Sequence, residues 1–130
     1  MHGNFGVLVL GHGSKLTYNK DMIDAMADML AKKIDGAMVR TAFLNMDVPT
    51  VEEGLISFRD AAVDRIYAIP LFLAHGVYTL KDIPGQLGLK EGENRIMYRL
   101  DDRNIELVYV QPLGHDQCIA DLAYKRLTEA

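Results

Sequence analysis

Two histidines stand where an apolar run gives way to glycine. In "LVLGHGSK" (8–15), His12 lies between Gly11 and Gly13, and Ser14 and Lys15 follow at once. In "IPLFLAHGVYTLKDIP" (69–84), a second apolar run closes on His75 and Gly76. Imidazole has an ordinary pKa of about 6.5, so its neutral form is available at cellular pH to accept a proton or to bind Co, Ni, Cu or Zn. Two such nitrogens with coordination positions left open suit the loading and release of an ion better than permanent structural binding. The flanking glycines let a broad, flat ligand come close to the backbone. His2 and His115 have no comparable context and read as surface residues.

Other chemistries fit these motifs poorly. "GHGSKL" lacks the third glycine of a dinucleotide fingerprint and the spacing of a phosphate-binding GxxxxGK[ST] loop. It also lacks the GxSxG of a nucleophile elbow, so Ser14 is expected to cap a helix N-terminus rather than attack a substrate.

The elements that must position the histidines follow from the hydrophobic period. Phe5 to Leu10 reads as a strand buried on both faces. From Asn19 to Ile34 the period becomes helical, through Met22, Ile23, Met26, Met29, Leu30 and Ile34, with Gly36 as the stop signal. Met38 to Leu44 reads as a second strand, and Thr50 with Glu53 three residues on has the capping-box spacing of a second helix. Arg65 to Leu73 reads as a third strand interrupted by Pro70, Ile105 to Val110 as a fourth, and Asp116 to Leu127 as a closing helix with Ile119, Leu122, Ala123 and Leu127 on one side. The charged segment 90–104 reads as a solvated surface loop.

Strands alternating with helices predict an α/β fold, a mainly parallel four-stranded sheet with helices on both faces. In the order 2-1-3-4, His12 and His75 follow neighbouring strands at the carboxyl edge, where such sheets bind ligands, and both can face one cleft. The 130 residues are expected to form one domain, 1–130. Hydrophobic residues make up 49% and charged residues 25%, the balance of a globular chain. A net charge of -4 gives no field that would gather nucleic acid. Cys118 is the only cysteine, which fits a reducing compartment. With neither a signal-peptide pattern nor an apolar run of about 18 residues, the expectation is a cytoplasmic protein with no membrane partner.

Taken together, "LVLGHGSK", "NMDVPTVEEG", "IPLFLAHGVYTLKDIPGQLGL" and "PLGHDQCIADL" resemble the small class II chelatases of the CbiX type, the archaeal sirohydrochlorin cobaltochelatases and nickelochelatases. The resemblance spans almost the whole chain. It implies a homodimeric enzyme that inserts Co²⁺ or Ni²⁺ into sirohydrochlorin, on the routes to cobalamin and to the nickel tetrapyrrole coenzyme F430. Carried over residue by residue, His12 is implied to be metal ligand and proton acceptor and His75 the other metal ligand. The run Pro70, Leu71, Phe72, Leu73, Ala74 and His75 is implied to contact the substrate. Asn45 stands where the family pattern has a substrate-contacting glutamate, which keeps a hydrogen-bonding group but removes a negative charge. The histidine-rich insertion of some members is absent.

No organic cofactor is expected; the ion is a substrate. Lys15 and Lys81 are candidate counter-charges for the ring carboxylates. The alternative is a carrier that binds tetrapyrrole or metal ion without transferring the ion. A flavodoxin-like nucleotide module is disfavoured by the weak phosphate motif.

Overall fold

The computed structural model describes residues 3–35 and 38–130. Met1, His2, Gly36 and Ala37 lie outside the described residues, and with them the expectations for His2 and for Gly36 as helix stop. Five strands form one sheet in the order β2-β1-β3-β5-β4, where β1 is Phe5–Gly11, β2 Met38–Phe43, β3 Arg65–Pro70, β4 Arg95–Leu100 and β5 Arg103–Tyr109. Pairing is parallel except between β4 and β5. The strand expected as fourth is β5, and it pairs with β3 as the predicted order requires.

The fifth strand corrects the reading of 90–104 as a loop. Within it, "RIMYRL" pairs antiparallel with β5 and alternates strictly: Ile96 and Tyr98 are half-buried and Leu100 is buried, while Arg95, Met97 and Arg99 face outward. Outward charges at Arg95 and Arg99 mark a sheet surface as readily as a solvated loop. A tight turn at Asp101 and Asp102 joins the two strands, with Asp101 at φ 57°.

Helix α1 (Tyr18–Lys33) covers one face of the sheet, burying Ile23 and Ala27 against Val7, Val9 and Phe43. Met22 and Met29, expected on its apolar side, are exposed. Ser14 does not cap α1, correcting that expectation. The helix starts four residues later with Thr17 at the cap, and the Ser14 hydroxyl instead accepts the Leu16 N–H (3.2 Å).

Helix α2 (Val51–Ile56) begins with the predicted box. The Glu53 N–H donates to the Thr50 hydroxyl (3.2 Å), and the Thr50 N–H donates to the Glu53 carboxylate (2.8 Å). With the π-helical turn Tyr78–Asp82 and the short α3 (Ile83–Leu87), it covers the opposite face, where Leu8, Leu10, Leu55, Phe58, Ile66, Ile83 and Leu107 form the larger core. Burying apolar side chains stabilises the fold by roughly 25 cal/mol per Å² removed from water. The stacked layers of β1 therefore anchor the sheet, with Val7 to Leu10 buried on both faces.

Strand β3 is shorter than the expected 65–73. It ends at Pro70, which has no N–H to donate, although the Leu71 N–H still reaches the Leu10 carbonyl (2.9 Å). The closing helix α4 (Gln117–Thr128) forms as expected, capped by the Asp116 carboxylate on the Cys118 N–H (2.9 Å). Its apolar side covers neither face of the sheet: α4 buries no residue, and Leu122 and Leu127 are 46% and 73% exposed. Among the described residues no helix is long and apolar enough to cross a membrane.

Candidate functional site

The loop after β1 is held at a fixed distance from the loop after β2. The Leu44 N–H donates to the Gly11 carbonyl (3.0 Å), the Gly13 N–H to the Asn19 side-chain oxygen (2.9 Å) and the Ser14 N–H to the Asp47 carboxylate (3.0 Å). Gly13 has φ 84°, and a Cβ there would lie 1.8 Å from the Asn45 carbonyl oxygen, so the sequence needs glycine at this point. Close approach of the two loops brings Asn45 beside His12. They share an open depression of about 430 Å³ with Gly13, Ser14, Lys15, Asn19 and Met46.

The state of the His12 ring follows from its partner. Nδ1 lies 2.8 Å from the Gly13 carbonyl oxygen, which can only accept, so Nδ1 carries the proton and Nε2 presents its lone pair. The ring packs edge-on against Tyr78, centroids 4.5 Å apart, with Phe72 at 6.4 Å. It is half-buried, walled by aromatics on one side and open to the depression on the other.

His75 is placed differently. Its Nδ1 is 3.0 Å from the Thr79 hydroxyl, and its Nε2 is 2.7 Å from the Gln111 side-chain oxygen. Thr79 is the one fully buried polar side chain among the described residues. Its hydroxyl accepts the Gly76 N–H (2.9 Å), and its backbone carbonyl accepts the Tyr109 hydroxyl (2.8 Å). Burial pushes the Tyr109 phenol up to about 12, which keeps it protonated and donating. The π-helical turn thus links the two histidines, with Tyr78 against His12 and Thr79 against His75.

The two imidazoles line separate depressions. His75 borders one with Lys90, Glu93 and Gln111 and another with Leu73, Ala74, Gln111, His115 and Ile119. Among the described residues no three His, Cys, Asp or Glu side chains converge as a metal site.

The run 70–75 divides in two. Pro70 is buried and Leu71 and Phe72 are half-buried against the cores, whereas Leu73, Ala74 and His75 are exposed. Lys15 borders the His12 depression; Lys81 borders a neighbouring one that includes neither histidine.

Sequence reasoning did not single out Tyr78, Thr79 or Gln111. The first two lie inside "FLAHGVYTLKDIP", and Gln111 follows the strand that pairs with β3, so the carboxyl-edge rule applied to a third strand would have reached it. His115, read as a surface residue, is exposed and also borders the His75 groove.

An α/β sheet carrying imidazoles at the carboxyl ends of adjacent parallel strands defines a class of small ligand-binding α/β domains. Comparison with known proteins narrows it. The profile of the CbiX family matches residues 6–130. The chain is 44% identical to the sirohydrochlorin cobaltochelatase of Methanosarcina acetivorans, over 100% of this chain and 99% of that one. It is 36% identical to the sirohydrochlorin cobaltochelatase of Saccharolobus solfataricus, over 95% and 94%. Among solved structures, SirB from Bacillus subtilis with Fe³⁺ superposes with a TM-score of 0.78 at 22% identity, covering 98% of this chain but 47% of SirB. The chain belongs to the CbiX family.

Proposed function

We propose that this chain is a chelatase that inserts Co²⁺, and by the same chemistry Ni²⁺, into sirohydrochlorin, so serving the making of cobalamin or of coenzyme F430. The observation that carries this reading is the His12 ring, which lines an open depression with its Nδ1–H spent on the Gly13 carbonyl and no protein hydrogen bond at Nε2 among the described residues. Relatives at 33–44% identity bear the name sirohydrochlorin cobaltochelatase, which supports the choice of ring and ion.

Insertion requires that a hydrated divalent ion shed water, that four ring nitrogens take its place, and that two pyrrole N–H protons leave. The His12 Nε2 lone pair can replace one metal-bound water and, once the ion has moved to the ring, accept one of the two departing protons, the other passing to solvent. One nitrogen cannot do both at once, so the two roles are successive. His75 holds or passes the ion. The Asn45 amide can hydrogen-bond the ring but is no base at neutral pH. Leu73 and Ala74 offer an apolar face to the macrocycle, and Lys15 is placed to meet a ring carboxylate.

The working form is proposed to be a homodimer. Leu16, Met46, Val48, Leu73 and Val77, on loops beyond the carboxyl ends of β1, β2 and β3, are each more than half exposed, as are Tyr18 at the start of α1 and Leu80 in the π-helical turn. One chain thus offers an apolar shelf without a roof, and a second copy can supply the roof. The unburied apolar side of α4 offers further surface for a second copy to cover.

Mixing the protein with sirohydrochlorin and Co²⁺ should accelerate the change in the ring's visible absorption over a protein-free control. Tight binding of ring or ion without acceleration would make the protein a carrier instead. Sedimentation at micromolar concentration should show the dimer, and a fully active monomer would overturn the shared cavity.

A further inference from the structure

Both nitrogens of His75 are engaged, and neither is free to take an ion. The Gln111 oxygen at 2.7 Å from Nε2 can only accept, so in this arrangement Nε2 carries the proton and Nδ1 accepts from the Thr79 hydroxyl at 3.0 Å. This is the opposite tautomer to that of His12. Thr79 has partners for the other tautomer as well. Its oxygen lies 3.3 Å from the Gly76 carbonyl, so the hydroxyl proton can turn there and leave the oxygen to accept from an Nδ1–H. Buried and fixed through Tyr109, Thr79 cannot drift away from the ring during that exchange.

We infer that Gln111 is a latch on His75 and Thr79 its two-way partner: Gln111 holds Nε2–H while the site is empty and must let go before Nε2 can take the ion. Both are positioning residues. The inference rests on the proposed role of His75 as a metal ligand. When the ion arrives, the Nε2 proton is lost to solvent, solvent returns one proton to Nδ1, and the hydroxyl turns to the Gly76 carbonyl so that its oxygen accepts the hydrogen bond from Nδ1–H. When the ion leaves for the ring, Nε2 takes a proton from solvent, Nδ1 gives its proton back to solvent, Gln111 recaptures Nε2–H and the hydroxyl turns back. The latch competes with the ion, which keeps binding weak enough for transfer. Gln111 is exposed and sits just after β5, so it can swing aside without disturbing the core.

The test is long-range ¹H–¹⁵N correlation on the full chain labelled at histidine, at about pH 8 where an imidazole is neutral. It is followed by titration with Co²⁺ alone, read from paramagnetic broadening of the His75 resonances. Metal-free His75 should be the Nε2–H tautomer and His12 the Nδ1–H tautomer. Gln111→Ala should tighten Co²⁺ binding at His75 by about two- to tenfold, the worth of one hydrogen bond no longer competing. Thr79→Val should weaken it by about tenfold or more, and Thr79→Ser should restore it.

An Nδ1–H tautomer in metal-free His75, or Co²⁺ binding at His75 that Gln111→Ala leaves unchanged or weakens, overturns the latch alone. Co²⁺ binding that is indifferent to His75→Ala overturns the role of His75 as ligand, and the latch with it.

Discussion

Gly13→Ala puts the local geometry around His12 to a direct test. The added Cβ would meet the Asn45 carbonyl oxygen at 1.8 Å, against an ordinary carbon–oxygen contact of about 3.3 Å, so the two loops must separate by about 1.5 Å. Alanine at φ 84° carries a left-handed backbone cost of about 1–2 kcal/mol. Separation also strains the bonds that close the loops, Leu44 to Gly11 and Ser14 to Asp47, each with a net worth of about 1 kcal/mol. Losing one or two of them brings the total to about 3 kcal/mol, a lowering of the unfolding midpoint by about 10 °C in a chain of this size.

Turnover should fall further than stability, because the same movement withdraws His12 from the depression. The assays are thermal unfolding followed by circular dichroism and the sirohydrochlorin absorption assay below the melting range. Gly85→Ala is the control: nothing lies within 4 Å of a Cβ there and its φ is not in the left-handed range. An unfolding midpoint for Gly13→Ala as high as that of the control, with unchanged turnover, would refute the account of the loop.

The remaining predictions concern individual side chains. His12→Ala should abolish acceleration at every Co²⁺ concentration, whereas His75→Ala should recover in part at saturating Co²⁺; equal rescue in steady-state rates would mean that both only gather metal. Asn45→Ala should cost about tenfold in turnover, one hydrogen bond of about 1.4 kcal/mol, and a loss as complete as that of His12→Ala would refute the merely supporting role of Asn45. In a spectrophotometric phenol titration of the six tyrosines, Tyr109 should ionise last, near pH 12. Its folded-state value lies above the ordinary 10, so its contribution to stability is full below about pH 10 and is lost as pH rises toward 12. Tyr109→Phe should therefore remove the latest-titrating group and that part of the alkaline loss of stability.

The β/α alternation and the Val-rich first strand made the sheet order legible, because a strand buried on both faces leaves a continuous apolar run. Strand β4 was hidden by its charges: Arg95 and Arg99 alternate with Ile96 and Tyr98 on an edge strand, where only one face needs an apolar surface. The capping box at Thr50 was legible because it is local, and the Ser14 cap failed because the chain spends three further residues, 15–17, before the helix begins. Within the candidate site, the histidines were visible as an interruption of apolar runs. Their partners were not, since Gln111 is 36 residues from His75 and reaches it only through the pairing of β3 with β5.

The two His-Gly pairs look alike in sequence and are held oppositely in space, and the difference has a local cause. After His12 the chain turns through a left-handed glycine whose own carbonyl swings back onto Nδ1, so that ring is fixed by backbone and its lone pair lies on Nε2. After His75 the chain enters a π-helical turn that delivers a buried hydroxyl to Nδ1, and a hydroxyl can donate or accept. A backbone carbonyl enforces one tautomer; a hydroxyl permits two. On the proposed reading this division suits an ion in transit, because a donor that must release its metal gains from a competing partner and a proton acceptor gains from a permanently open nitrogen. A closed set of three or four protein ligands would hold the ion too firmly to lose it to four ring nitrogens.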